Sequence, residues 1–151
     1  MLQKLNFPEY DFSIQNVNDV VMIYDRIRKK FVKLTPEEWV RQHVVHYLLN
    51  DCGLPMIRIA VEKQLKVHST LKRFDAVVFG KSVQPLLLIE CKAPTVAIDQ
   101  NVFEQAIRYN LNLQVPYLWL SNGLANITIE CDQGLRSCHT IGDLPPAEIW
   151  K

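Results

Sequence analysis

The sequence predicts an α/β fold, a central mixed sheet of about five strands flanked by helices in a sandwich. Three observations predict it. Residues 57–67, 71–79 and 86–91 are β-branched and apolar runs, separated by the turn-like stretches SerThr and GlyLysSerValGlnPro. Helical spacing occupies 36–51 before these strands and 98–114 after them. Two further strands, within PYLWLSNG and LANITIECD, meet at a SerAsnGly turn.

The chain has 151 residues, 48% of them hydrophobic, enough for one packed core and too few for two ordinary domains. With five glycines and no repeat or low-complexity tract, residues 1–151 read as one domain. Within it, 1–18 are expected to form an extended arm, about 20–131 the core and 132–151 a tail. The net charge of +1 neither demands nor excludes a polyanionic partner. No segment reaches the roughly 18 apolar residues of a membrane span, and MLQKLNFPEYDF lacks the apolar centre of a signal peptide. A cytoplasmic protein without a membrane partner is expected. Cys52, Cys91, Cys131 and Cys138 form no CxxC pair and are expected to be reduced thiols.

After the arm, VVMIYDRIRKKFVKL alternates in the manner of a hairpin and carries a basic cluster, of which Arg28, Lys29 and Lys30 are candidate phosphate contacts. The first helix starts sharply at TPEEW. Thr35 is the expected N-cap, Pro36 suits the first helical position, and Glu38 falls where a capping box places its acid. Glu37 shares the stripe of Val40, Val44 and Leu48, so it is the unexplained acid of this helix. Asp99 is the expected N-cap of the second helix.

The sharpest anomaly is in LLLIECK. Leu86, Leu88, Glu90 and Lys92 share one strand face, and Leu87, Ile89 and Cys91 the other. A strand apolar on both faces is buried on both, where an unpaired charge costs several kcal/mol. If Phe79 and Leu86 close the preceding hairpin, Asp75 lies opposite Glu90 on the same face. Two facing carboxylates repel unless a cation lies between them. Mg²⁺ or Mn²⁺ meets that need, with the backbone carbonyl of Cys91 as a further oxygen. Lys92, on the face of Glu90, is placed to orient water against a phosphate. The competing reading is a structural cluster in which Lys72, Arg73 or Lys92 neutralises the two acids.

These residues resemble the PD-(D/E)xK nuclease superfamily, whose motif is an Asp on one strand and Glu-x-Lys on the next: here Asp75 and Glu90-Cys91-Lys92. Gln105-Ala-Ile-Arg-Tyr109 is similar to the QxxxY helix motif of RecB-like members. LTPEEWVRQ, KRFDAVVF and SNG resemble the N-terminal nuclease domain of type I restriction enzyme R subunits, over about residues 20–130. The resemblance implies a restriction-endonuclease-like α/β/α sandwich and metal-dependent hydrolysis of DNA. It also implies Gln105 and Tyr109 as phosphate or metal-shell contacts and an acid of the first helix, Glu37, as a further metal ligand. No GxxxxGK[ST] loop is present, so the expected unit is a nuclease without its own motor, working alone, as a second copy, or with a helicase or specificity partner. A non-catalytic nucleic-acid-binding module of the same fold is the alternative, and RNA is not distinguished from DNA.

Overall fold

The computed structural model describes residues 2–132, 134 and 137–150. The first three strands, β1 (Ile14–Val17), β2 (Val20–Asp25) and β3 (Lys30–Lys33), form an antiparallel sheet in chain order. Helix α1 (Pro36–His46) follows, begun by Thr35, whose side chain accepts from the Glu38 N–H. It runs on as a wider π turn, Tyr47–Asp51, and the chain leaves through Gly53 at φ 66°.

The main sheet has six strands in chain order: β4 (Ile59–Val67), β5 (Thr70–Phe79), β6 (Pro85–Cys91), β7 (Tyr117–Ser121), β8 (Asn126–Cys131) and β9 (Cys138–Gly142). It is mixed because β6 and β7 run parallel, and a parallel pair needs a crossover. Helix α2 (Gln100–Leu113) makes that crossover, capped by Asp99 at its start. It ends at Gln114 in the left-handed conformation, and buried Asn110 bonds both the N–H and the carbonyl of Val115.

Both faces of the sheet are buried, as the continuous apolar runs require. Val78, Leu87 and Ile89 pack with Val40, Val44 and Leu48 of the α1 segment. Val77, Leu88, Leu118 and Leu120 pack under Val102, Phe103, Ala106 and Ile107 of α2. Adjacent residues of one strand thus serve opposite helices, which places β5 and β6 between them.

Four expectations change. The sheet has six strands, since residues 138–142 of the supposed tail pair with β8 and Trp150 returns to the core. The supposed arm contains β1, and its Leu5 is buried against Gly123, where a Cβ would lie 2.8 Å from the Leu5 side chain. Gly123 also needs φ 84°, so the SerAsnGly turn admits the arm only because it ends in glycine. Cys131 and Cys138 are joined by a disulfide, because the β8–β9 register sets them face to face; Cys52 and Cys91 are free thiols. Lastly, the β5–β6 hairpin closes with Phe79 opposite Pro85 through a register shift, one residue from the expected Leu86. Met1 of the arm and Gln133, Leu135, Arg136 and Lys151 of the tail lie outside the described residues.

Candidate functional site

The register shift lies at the loop end of the hairpin, so the other end keeps the expected pairing. Ala76 faces Ile89, Val77 faces Leu88 and Val78 faces Leu87. One step further, Asp75 is level with Glu90, and here the strands part. The Asp75 carboxylate accepts the Cys91 N–H at 2.8 Å, a bond that a backbone carbonyl would otherwise accept in a continued ladder. An acid is thereby fixed at the fork of β5 and β6.

Glu90 is only 20% exposed at its side chain. Burial, and then the charge of Asp75, push its carboxyl up to about 7, against the opposing pull of Lys72 and Lys92. Its Oε1 is buried and accepts no hydrogen bond among the described residues. Lys72 Nζ stands 3.7 Å from that oxygen, too far for a hydrogen bond. Glu90 therefore keeps one buried oxygen without a hydrogen-bond donor among the described residues.

Behind Asp75 lies a buried ionic network. Arg41 contacts Glu38 at 2.8 Å, Glu62 at 3.3 Å and Asp75 at 3.8 Å. Arg28 contacts Asp25 and Glu38, each at 2.6 Å. Burial drives the Asp25 carboxyl up, but hydrogen bonds from the Arg28 backbone and guanidinium and from Ile27 N–H overcome it, and the group titrates below its usual range. Glu38 is not turned back to the helix cap. It is buried, taking Arg28, Arg41 and Gln42 as partners. Glu37 instead faces outward; partial burial and then Asp75 raise its carboxyl, while Arg41 and Lys92 lower it. It shares the electrostatic field of the site, yet among the described residues no three His, Cys, Asp or Glu side chains converge as a ready metal cage.

On the α2 side of the sheet, Glu90 and Lys92 open into a cleft of about 70 Å³ whose opposite wall includes Gln105 and Tyr109. Lys72 and Phe74 of β5 line it as well. Lys92 is held in place by its backbone N–H, which donates to the Ser121 carbonyl at 2.8 Å. Glu90, Lys92, Gln105 and Tyr109 thus share one cleft; Asp75 acts on Glu90 through its charge but does not line the cleft, its carboxylate meeting Cys91 N–H and Arg41. The basic cluster is not part of this cleft. Arg28 is committed to carboxylates and is only 18% exposed, contrary to its expected phosphate role, whereas Lys29 and Lys30 are exposed at the β2–β3 turn.

Residues 36–145 match the family described as type I restriction enzyme R protein N terminus. The chain belongs to this family. It is 30% identical over 99 residues to the type I restriction enzyme EcoAI endonuclease subunit of Escherichia coli, a match covering 62% of this chain and 12% of that protein. Among solved structures it is similar to a fragment assigned to the HsdR subunit of a type I restriction enzyme from Vibrio vulnificus YJ016. That match has 17% identity and a TM-score of 0.40, and covers 60% of this chain and 17% of the other.

In this R protein N-terminal domain, sequence reasoning missed Arg41 as the neighbour of Asp75. Its signal was available: Arg41 stands one turn after Glu37 and Glu38, on a helix otherwise buried by Val40 and Val44. Lys72 was visible only as a neutralising charge. His43 and His46 turn out to bond the Trp39 and Gln42 carbonyls and to pack against Phe12, closing the arm over α1.

Proposed function

We propose that the domain hydrolyses phosphodiester bonds in DNA with a divalent metal, using Asp75, Glu90 and Lys92 in the PD-(D/E)xK manner within a restriction-endonuclease-like sandwich. The observation that carries this reading is the buried, unbonded oxygen of Glu90 beside Asp75 where β5 and β6 diverge. Two carboxylates held this way suit Mg²⁺ or Mn²⁺, which bind one or two carboxylates and complete their shell with water and substrate oxygens. Asp75 and Glu90 are the proposed ligands, with the Cys91 carbonyl and Glu37 as further donors. A metal there supplies Lewis acidity to the phosphate and lowers the pKa of water. Lys92 orients the attacking water and stabilises charge developing on phosphate oxygens. Gln105 and Tyr109 contact the nucleic-acid strand from the α2 wall, and Lys29 and Lys30 contribute outer phosphate contacts. Further subunits with helicase or specificity roles, or a second copy, are the proposed partners.

One observation favours a second reading, a nucleic-acid-binding module without catalysis. Lys72 and Arg41 already stand near Glu90 and Asp75, so the protein partly neutralises its own acids. The two readings separate on purified protein. Plasmid, linear and single-stranded DNA, with RNA in parallel, are incubated with Mg²⁺ or Mn²⁺. Cleavage lost in Asp75→Ala is expected. Cleavage that survives this substitution, or its absence on every substrate, defeats the enzyme reading; Mn²⁺ calorimetry then distinguishes the module, which binds DNA and no metal.

A further inference from the structure

Lys72 occupies an unusual place. It projects from β5 into the cleft beside Glu90, but its ammonium makes no hydrogen bond among the described residues. What holds it is diffuse. Its Nζ lies 3.7 Å from Glu90 Oε1, 5.0 Å from the centre of the Tyr109 ring and 5.7 Å from that of Phe74. Both ring distances are within cation–π reach. The side chain is 30% exposed, so the charge can be met from solution.

The charge of the cleft points to the ligand. Its lining includes two ammoniums, Lys72 and Lys92, and one carboxylate, Glu90, and the rest is polar or apolar. At about 70 Å³ it is far below the roughly 300 Å³ or more of pockets for drug-sized ligands, and suits a small anionic group. An ammonium on a flexible four-carbon stem, donating to nothing among the described residues and resting on an aromatic ring, keeps its donors for phosphate oxygens. Lys72 reaches across the cleft from β5 to Tyr109 of α2, so a phosphate seated at the mouth of the cleft meets both.

We infer that Lys72 is a phosphate-binding residue, which leaves Glu90 to grip the backbone of the nucleic-acid strand entering the cleft beside Tyr109. The inference rests on the reading of the cleft as a nucleic-acid site, and it adds a residue outside the Asp and Glu-x-Lys motif. It makes Lys72 a positioning contact that acts before any bond is broken. Its effect is therefore measurable without metal.

The test is fluorescence anisotropy of labelled single- and double-stranded oligonucleotides in EDTA, across a series of KCl concentrations. Lys72→Gln is expected to weaken binding about tenfold, as loss of one charge-assisted hydrogen bond does. It should lower the slope of log affinity against log salt by about 0.7 to 0.9, the release of one counterion. Lys72→Arg should restore the slope. Arg73→Gln is the control, because the neighbouring side chain projects to the other face of the strand. An unchanged slope in Lys72→Gln, an equal loss in Arg73→Gln, or no DNA binding by the unaltered protein overturns the inference. Cleavage with an unchanged Lys72→Gln slope refutes the inference and leaves the nuclease reading standing. A Lys72-dependent slope without cleavage does the reverse.

Discussion

Replacing Glu90 by glutamine is expected to stabilise the metal-free protein above pH 7, because the native carboxylate is strained electrostatically. Its carboxyl rises from 4.5 to about 7, through burial first and Asp75 second. The folded state therefore holds this proton more tightly than the unfolded chain does. The contribution to stability is complete below pH 4.5 and is lost as pH rises through 7. At about 1.4 kcal/mol per pH unit, the loss is about 3 kcal/mol at pH 8. The substituted amide cannot ionise and escapes it. That shift already includes the opposing pull of Lys72 and Lys92, and solvent screening at the partly exposed carboxyl trims the gain by about 1 kcal/mol. The balance, about 2 kcal/mol, corresponds to a gain of roughly 4 to 8 °C in Tm for a chain of this size. Thermal unfolding of both proteins in chelator, from pH 4 to 8.5, measures it. The two curves should converge near pH 4.5 and separate with rising pH. A Glu90→Gln protein no more stable than the unaltered one at pH 8 would show that Lys72 and Lys92 satisfy the carboxylate, leaving Glu90 no spare capacity for a cation.

Two further perturbations test the supports of the site. Glu38→Gln keeps the shape of a buried side chain but removes the charge shared by Arg28 and Arg41; a loss of about 3 kcal/mol is expected, as for a broken buried ion pair. Urea unfolding should show a lower midpoint with an unchanged slope, and a loss under about 1 kcal/mol would mean that the network behaves like exposed ion pairs. Asn110→Ala strips both hydrogen bonds from Val115 and is expected to destabilise by about 3 kcal/mol. Hydrogen exchange should speed first at the Val115 amide, and unaltered protection there would show that the α2–β7 connection does not depend on Asn110.

Much of the frame was legible because it is written at short range. Thr35, Pro36 and Asp99 mark helix starts through backbone geometry that a few residues determine. Leu86 to Ile89 announce a strand covered on both faces, and α1 and α2 supply the covers. The errors have identifiable causes. Glu38 satisfied the spacing of a capping box, but the same position also faces Arg28 and Arg41, and two guanidiniums outcompete one backbone N–H for a carboxylate. Arg28 sat in a basic run that reads as a set of phosphate contacts. The β2–β3 turn directs it inward to Asp25 and Glu38, while Lys29 and Lys30 stay outside. Cys131 and Cys138, seven residues apart, gave no pairing signal until β9 was seen to run against β8.

By itself, the sequence determined the two long helices and the strands of the core, β1 and β9 excepted, and the β5–β6 register that leaves Asp75 level with Glu90. A period of two and a tight turn leave little freedom in register, and the loop-end shift at Phe79 did not reach the acids. Only the tertiary structure decided how those acids are surrounded: Arg41 beside Asp75, Lys72 between Glu90 and Tyr109, and an oxygen of Glu90 left without a donor among the described residues. The reason is geometric. Those contacts depend on where α1 and α2 rest on opposite faces of one sheet, and on how far long charged side chains reach across it. Neither distance is encoded in the spacing of residues along a single element.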